Sequence, residues 1–525
     1  MSPNALIALG LVAIIAFYLW HALSLGYVVD DAYISFRYAH NFAQGQGLVY
    51  NVGERVEGYT NFLWVFMLGI TAWISPGVDM LFVAQGMSLV LGVATLVLMF
   101  ILARRTFEAS PWMCLAAPLM LAGNASFCAW STGGLASTAY AFLILLALVM
   151  HDREFRTGRG ALASVIPVAL LSLVRGDGFV WFAIFSVVRL YEHIRRRQSP
   201  INRRTAIWIG LFLSVLVPYI CWRMWYYGHP LPNTYYAKVG GSFDLYIRGI
   251  RYAKQFFEHY GGALWLPLIL FSWIKLDAAP WLRGGRWMML GWFAYIIQVG
   301  GDGLAFFRFF SYITPVLYIL AASGLYEVMS WANAYAKQVS GLRLRVSSAA
   351  IVLLVTALGA QQTNQVLRHA DPSIAPYHHF DNYFIERCSS AGRWLAKNSK
   401  EDDVIASTPA GAISYFSNRS VIDMLGLTDQ HIARVPTKNP GRGRAGHEKG
   451  DGAYVLSRKP EFILLGNVAV GREPMNAGDI ERDLCERSEH EIWATPAFHE
   501  AYELQSVRLH ESGPFQYFTF YRKKI

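Results

Sequence analysis

"VVDDAYISFRYAHNFAQGQGLVYNVGERVEGYTNFLW", residues 28–64, starts where one apolar run ends and gathers adjacent carboxylates, two more acids, two arginines and a row of tyrosines. Such a stretch at the end of a hydrophobic segment reads as a structured loop at a membrane–water boundary. The rest of the chain supplies the membrane. Of 525 residues, 54% are hydrophobic, 15% aromatic and only 16% charged, with a mean hydropathy of +0.29. A soluble domain carries about 25% charged residues, so lipid solvates most of this chain. The net charge of +10 sits in short clusters between apolar runs, where topology determinants belong, rather than in a nucleic-acid-binding patch.

The first twenty residues lack a basic n-region and a clear cleavage site, so they read as an uncleaved first membrane helix. Of five cysteines, only Cys388 and Cys485 share the polar C-terminal region, where one disulfide between them is compatible with the sequence. A span needs about 20 apolar residues. Candidates lie near 5–27, 79–103, 112–130, 134–151, 161–174, 179–192, 206–227, 262–275, 287–300, 308–330 and 347–365, which makes about eleven spans by the usual length criterion. The segment 62–75 decides the parity. If it does not cross, Arg104/Arg105, Arg153/Arg156/Arg159, the arginines at 195–204, Lys275/Arg283/Arg286 and Arg343/Arg345 fall on one side. The positive-inside bias then places the N-terminus in the cytoplasm. The loop at about 28–61, "RGDG" (175–178), "YYGHPLPNTYYAK" (226–238), "GGDGLAFFRFF" (300–310) and the C-terminal third all face outward, away from ATP and soluble nucleotide sugars.

The expected organisation is a helical polytopic domain over 1–370 and a mixed α/β soluble domain over 371–525. In the latter, "DDVIAS", "RSVIDML", "EFILLGN" and "FQYFTFY" read as strands and "FIERCSSAGRWLAKN" as a helix. No fixed-period repeat, Walker motif, dinucleotide fingerprint or Gly-x-Ser-x-Gly elbow occurs.

Asp30 and Asp31 are the sharpest chemical feature. A carboxylate ending a membrane helix is ordinarily a solvated cap. Two adjacent ones repel, and desolvation raises the pKa of at least one, which suits it to take a proton from a hydroxyl. Arg37, seven residues on, would hold the pair ionised along one helix face, and Glu57 and Tyr59 approach the same boundary. Asp302, flanked by glycines, and Arg308 follow the same logic; a Gly-Asp turn is the plain alternative. Arg175 and Asp177 read as an ion pair closing a helical hairpin. His229, Asn233, Tyr235 and Lys238 lie in a proline-stiffened loop. Its tyrosines are ordinary interfacial anchors, while Lys238 and His229 could grip a lipid phosphate. His447 and Lys449 stand without a second histidine at ligand spacing, so no metal site is read there.

Taken together, "DDAYISFRYAHNFAQGQGLVYNVGERVEGYTNFLW", "RGDG", "YYGHPLPNTYYAK", "GGDG…R" and "GAISYFSNRSVIDMLGLTDQHIAR…GHEKGDGAYVLSRKPEFILL" resemble the GT-C membrane glycosyltransferases. The resemblance runs from about residue 28 to 466. It is closest to the branch with the arabinofuranosyltransferase that caps mycobacterial cell-wall arabinan and the related pilin arabinofuranosyltransferases. It implies a multi-span enzyme of the bacterial inner membrane, its site and C-terminal domain on the periplasmic side. Such an enzyme moves a sugar, here D-arabinofuranose, from a polyprenyl-phosphate donor to a glycan or pilin hydroxyl. The family's catalytic Asp maps onto Asp30 or Asp31. Two positions depart from the pattern. Gly134-Leu135-Ala136-Ser137 stands where the family often has Gly-Leu-Glu-Thr, and Arg175-Gly176-Asp177-Gly178 where it often has Arg-Pro-Asp-Gly.

The implied reaction is a single inverting displacement. One of the two aspartates is the base, and Lys238, His229 and Arg308 stabilise the departing phosphate. Arg37, Glu57, Tyr59, Asn233, Tyr235 and Asp302 complete the donor side, with His447 and Lys449 on the acceptor side. No metal or other cofactor is strictly required, and a divalent ion beside Asp30/Asp31 is compatible with the pattern. The runner-up is transfer of a hexose or aminoarabinose from the same carrier type. A lipid-linked-sugar flippase or transporter predicts repeats and midplane charges, and a membrane-anchored binding protein leaves the outward polar clusters without a purpose.

Overall fold

A computed structural model describes residues 2–107, 111–158, 162–238, 241–274, 279–340, 377–437, 440–466, 468–509 and 515–524. The expected span at 347–365 and the Arg343/Arg345 cluster lie outside the described residues. Packing divides the chain into two units, one of Met1–Tyr27, Gln85–Tyr219 and Tyr246–His378, the other of Val28–Ala84, Ile220–Leu245 and His379–Ile525.

The first unit is helical. Among the described residues of the chain, four helices are long and apolar enough to cross a membrane: Pro3–Leu25, Met80–Thr106, Arg203–Tyr227 and Arg308–Tyr335. Their burial differs sharply. The Arg308–Tyr335 stretch is 94% buried and the Arg203–Tyr227 stretch only 11%, so the first is a central strut and the second an apolar outer wall suited to lipid. Close packing rests on small residues. A Cβ at Gly324 would lie 1.7 Å from the Leu268 carbonyl oxygen, which seats the helix Arg308–Ser340 against Gly262–Phe271. The expected span at 112–130 is not one helix. It is broken into Pro111–Leu115, Ala116–Ala122 and Ala125–Trp130, because Asn124 leaves the helix and caps the last piece through the Phe127 amide.

Two interior ion pairs stand out among the described residues of this unit, as low polarity favours. Arg175 grips Asp177 through Nε and a terminal nitrogen at 3.0 and 2.9 Å, and Tyr140 and Tyr295 donate to the same carboxylate. Arg283 and Glu192 form a second two-point pair at 2.6 Å.

The second unit begins with the helix Asp30–Ala43, whose first turn holds Asp30 and Asp31, where negative charge suits the helix dipole. Its buried polar side chains fold the following loop back. Asn41 donates to the carbonyls of Val49 and Tyr50, and Tyr38 donates to Val56 while accepting from the Gly58 amide. The next helix, Phe62–Ile74, has 13 residues. At 1.5 Å per residue it reaches about 20 Å, less than a hydrocarbon core of about 30 Å.

A six-stranded sheet organises the rest of this unit: β1 (Val404–Ser407), β2 (Ser420–Asp423), β3 (Phe462–Ile463), β4 (Val470–Gly471), β5 (Tyr502–Arg508) and β6 (Tyr517–Lys523), in the order β2-β1-β3-β6-β4 with β5 also on β6. β1 runs parallel to β2 and β3, whereas β6 is antiparallel to β3, β4 and β5. Alternate residues such as Ala406, Ile422, Ile463 and Tyr521 enter a core closed by Ile432, Val455, Ile492 and Phe498 from the covering helices. No disulfide joins Cys388 to Cys485. The first is buried, and the second is exposed with its thiol turned to the Asp483 carbonyl.

Candidate active site

The two adjacent aspartates have different surroundings. Both oxygens of Asp30 accept backbone N–H groups, from Gly411 and Ala412, each at 2.8 Å. Asp30 thereby caps the short helix Ala412–Ser417. The approach requires glycine, since a Cβ on Gly411 would sit 2.0 Å from the Asp30 carbonyl oxygen. Burial lifts the Asp30 carboxyl to about 6, against the pull of its two amides.

Asp31 keeps 27% of its side chain exposed and meets the Lys238 ammonium at 4.0 Å. Lys238 ends the helix Asn233–Lys238, and Gly446, with φ +82°, lies against its aliphatic stem. The next residue, His447, feels both charges and is pushed down to about 4, first by burial and then by Arg444. Its Nδ1–H donates to the Ala445 carbonyl at 3.2 Å, which in the neutral ring leaves the lone pair on Nε2. Asp31, Lys238 and His447 therefore form one group inside the second unit: a partly exposed carboxylate, an ammonium and a neutral imidazole.

Arg37 does not hold the aspartates. It donates to the Tyr50 carbonyl at 3.1 Å and to Asn418. Seven residues along a helix is about 10 Å of rise, too far for an ion pair even on one face, and Asp30 is already engaged by amides. Glu57 is buried against Arg223 at 2.9 Å, and Tyr59 pairs its hydroxyl with Tyr227 at 2.9 Å. Asn233 is a rivet: its amide donates to the carbonyls of Gly426, Leu427 and Asp429, and its oxygen accepts from Arg434. His229 contacts Gln430 at 2.7 Å, and Tyr235 is exposed. Lys449 donates to the Val435 carbonyl at 2.5 Å. Asp302 and Arg308 belong to the first unit, where they hold each other at 2.7 and 2.9 Å.

Sequence reasoning overlooked Asp423. It is fully buried, is raised to about 6 by burial, and accepts the amides of Leu425, Gly426 and Thr428. The "DMLGLT" run carries the ordinary signal of an Asx turn. Among the described residues no three His, Cys, Asp or Glu side chains gather as an ion-holding group.

Residues 379–521 match a domain family described as "Domain of unknown function (DUF8728)". The chain is 29% identical over 278 residues to the "Terminal beta-(1->2)-arabinofuranosyltransferase" of Mycobacterium tuberculosis, a match covering 50% of this chain and 42% of that protein. Among solved structures, ArnT from Cupriavidus metallidurans bound to undecaprenyl phosphate aligns with a TM-score of 0.53 at 13% identity, over 80% of this chain and 86% of that one. The archaeal oligosaccharyltransferase AglB from Archaeoglobus fulgidus, in complex with an inhibitory peptide and a dolichol-phosphate, aligns with a TM-score of 0.52 at 14% identity, over 79% of this chain and 64% of that one. The chain has the GT-C fold of these structures, and among its described residues four helices are long and apolar enough to cross a membrane.

Proposed function

We propose that this GT-C protein transfers a sugar, D-arabinofuranose, from a polyprenyl phosphate to an acceptor hydroxyl on the outer face of the inner membrane, with Asp31 as general base. The observation that carries this reading is the group formed by Asp31, Lys238 and His447. Identity to an arabinofuranosyltransferase supports the sugar, and likeness in fold to proteins holding undecaprenyl phosphate and dolichol-phosphate supports the carrier.

In the free protein the Lys238 ammonium lies against Asp31. An arriving lipid phosphate competes for that ammonium and leaves the carboxylate available to the acceptor. The acceptor oxygen attacks the anomeric carbon from the face opposite the phosphate, and its proton passes to Asp31. The bond from carbon to phosphate oxygen breaks, and the charge that develops on that oxygen is met by Lys238, a stabilisation realised mainly in the transition state. The anomeric configuration inverts. His447, neutral over the working range, orients a hydroxyl through Nε2 without adding charge. Asp30 acts through position: by fixing Gly411 and Ala412 it fixes the start of the helix that carries Asp31.

The test is turnover by the purified full chain with decaprenyl-phosphate arabinofuranose and an arabinan oligosaccharide acceptor. Asp31→Asn is expected to lower kcat by about a thousandfold or more while donor binding persists. Asp30→Asn is expected to retain measurable turnover. Loss of turnover with Asp30→Asn and retention with Asp31→Asn would exchange the two roles. Turnover with a mannosyl or aminoarabinosyl carrier but not with the arabinosyl one would reassign the sugar.

A further inference from the structure

The second unit holds an open cleft of about 850 Å³, walled by the segments 54–56, 428–436 and 451–458. Its lining contains none of Asp31, Lys238 and His447. Its size is that of cavities that enclose small organic ligands, and its chemistry is specific. Glu54, Asp429 and Asp451 face Arg55, Arg434 and Arg458, three carboxylates against three guanidiniums. A phosphate site carries an excess of cations and a cation site an excess of carboxylates; this cleft has neither.

The charges are also fixed in place. Arg458 reaches Glu54 at 3.4 Å and the Tyr454 hydroxyl at 2.8 Å; that hydroxyl in turn donates to Asp429 at 3.1 Å. Arg434 lies over the Tyr236 ring and Arg55 over the Tyr226 ring. His431 bonds Asp451 at 2.9 Å and stacks flat on Tyr454, ring centroids 4.0 Å apart and planes 16° from parallel. The His431 side chain remains 49% exposed, so the stack offers a flat outer face beside paired planar donors and acceptors. Guanidiniums and carboxylates in such pairs retain unused donors and lone pairs in two-point geometry, the pattern that suits the vicinal hydroxyls of a sugar.

The cleft is tied to the candidate active site by one element. The helix Asn233–Lys238 bonds Arg434 on the cleft wall through Asn233 at its start and meets Asp31 through Lys238 at its end. Five steps of 1.5 Å separate these residues, about 8 Å along the axis.

We propose that this cleft binds a neutral oligosaccharide, the already built part of the acceptor, at a distance from the bond being made. Calling that glycan the acceptor rests on the transferase reading above; the cleft's preference for an uncharged glycan does not.

The experiment measures binding of a fluorescently tagged arabinofuranose hexasaccharide to the full chain in nanodiscs by polarisation, with a tagged serine/threonine peptide and pyrophosphate as competing probes. His431→Ala and Arg458→Gln remove exposed groups and are expected to keep the melting temperature. Each is expected to weaken hexasaccharide binding at least tenfold and to raise KM for a hexasaccharide acceptor while kcat and the KM of a disaccharide acceptor stay near wild type. Asp31→Asn is expected to bind the hexasaccharide normally. Wild-type binding by both cleft variants would overturn the proposal, as would capture of the peptide or pyrophosphate in place of the glycan. Absence of turnover in all forms, with glycan binding still lost in the cleft variants, would overturn the transferase reading and leave the glycan site standing.

Discussion

At the scale of single residues, the adjacent aspartates have unlike partners, backbone amides for Asp30 and the Lys238 ammonium for Asp31. Asp30 carries a sign that can be measured. Burial, with lesser contributions from Asp31 and Asp423, raises its folded pKa to about 6 from 3.8. The native carboxyl thus holds a proton that the unfolded chain has already released. Its contribution favours the folded state at about pH 4 and is lost as the pH rises to about 6, being gone above that. Asp30→Asn cannot titrate, so the melting temperature of wild type minus that of the variant is expected to fall between pH 4 and 7 and then level off. A difference constant over that range in a fluorescence melt would contradict the assignment. The sequence made Asp30, Asp31, Lys238 and His447 visible as polar residues outside the apolar runs, yet it could not separate the aspartates. The amides that claim Asp30 come from Gly411 and Ala412, 381 and 382 residues away, and backbone donors leave no pattern in composition.

Among elements, helix packing in the first unit turns on the absence of side chains. Gly324 brings its helix onto the Leu268 carbonyl, and in a membrane such close backbone approach replaces the hydrophobic drive that lipid removes. Gly324→Ala is expected to cost about 1–3 kcal/mol, the usual range for overpacking, and to lower the melting temperature. Gly86→Ala, where a Cβ meets nothing within 4 Å, is the matched control. Equal melting of the two variants would refute the packing role. Much of the element plan was legible: β1, β2 and β3 fall within the expected strands, β6 overlaps the fourth and runs on to Lys523, and the helix Tyr377–Asn398 contains the expected one. Misses have local causes. The Gly123-Asn124 pair interrupts what hydropathy alone reads as one span. In β5 the alternation of Tyr502 and Leu504 breaks at Ser506, which pairs with Thr519 of β6, so the strand shows half a signal. The cleft could not be read at all, because its walls come from three segments.

For the whole molecule, the domain family that matches 379–521 covers less than the second unit. β2 lies at the end of the strand order, and Asn51 closes its open side, its amide donating to the Val421 carbonyl and its oxygen accepting the Val421 amide, both at 3.0 Å. An unpaired edge is otherwise a site for misassociation. Asp30, Arg37 and Asn233 make comparable attachments from outside 379–525. A fragment of residues 379–525 expressed alone is expected to aggregate or to melt without a cooperative transition. A sharp two-state melt by circular dichroism would show that the earlier segments are accessories.

The same assembly sets a timetable. Asp31, Lys238 and His447 belong to three separate lengths of one unit, so a growing chain presents the carboxylate first, the ammonium about two hundred residues later and the imidazole about two hundred residues after that. Under the proposed mechanism, a polypeptide cut short before residue 447 lacks one member of the group on which transfer depends.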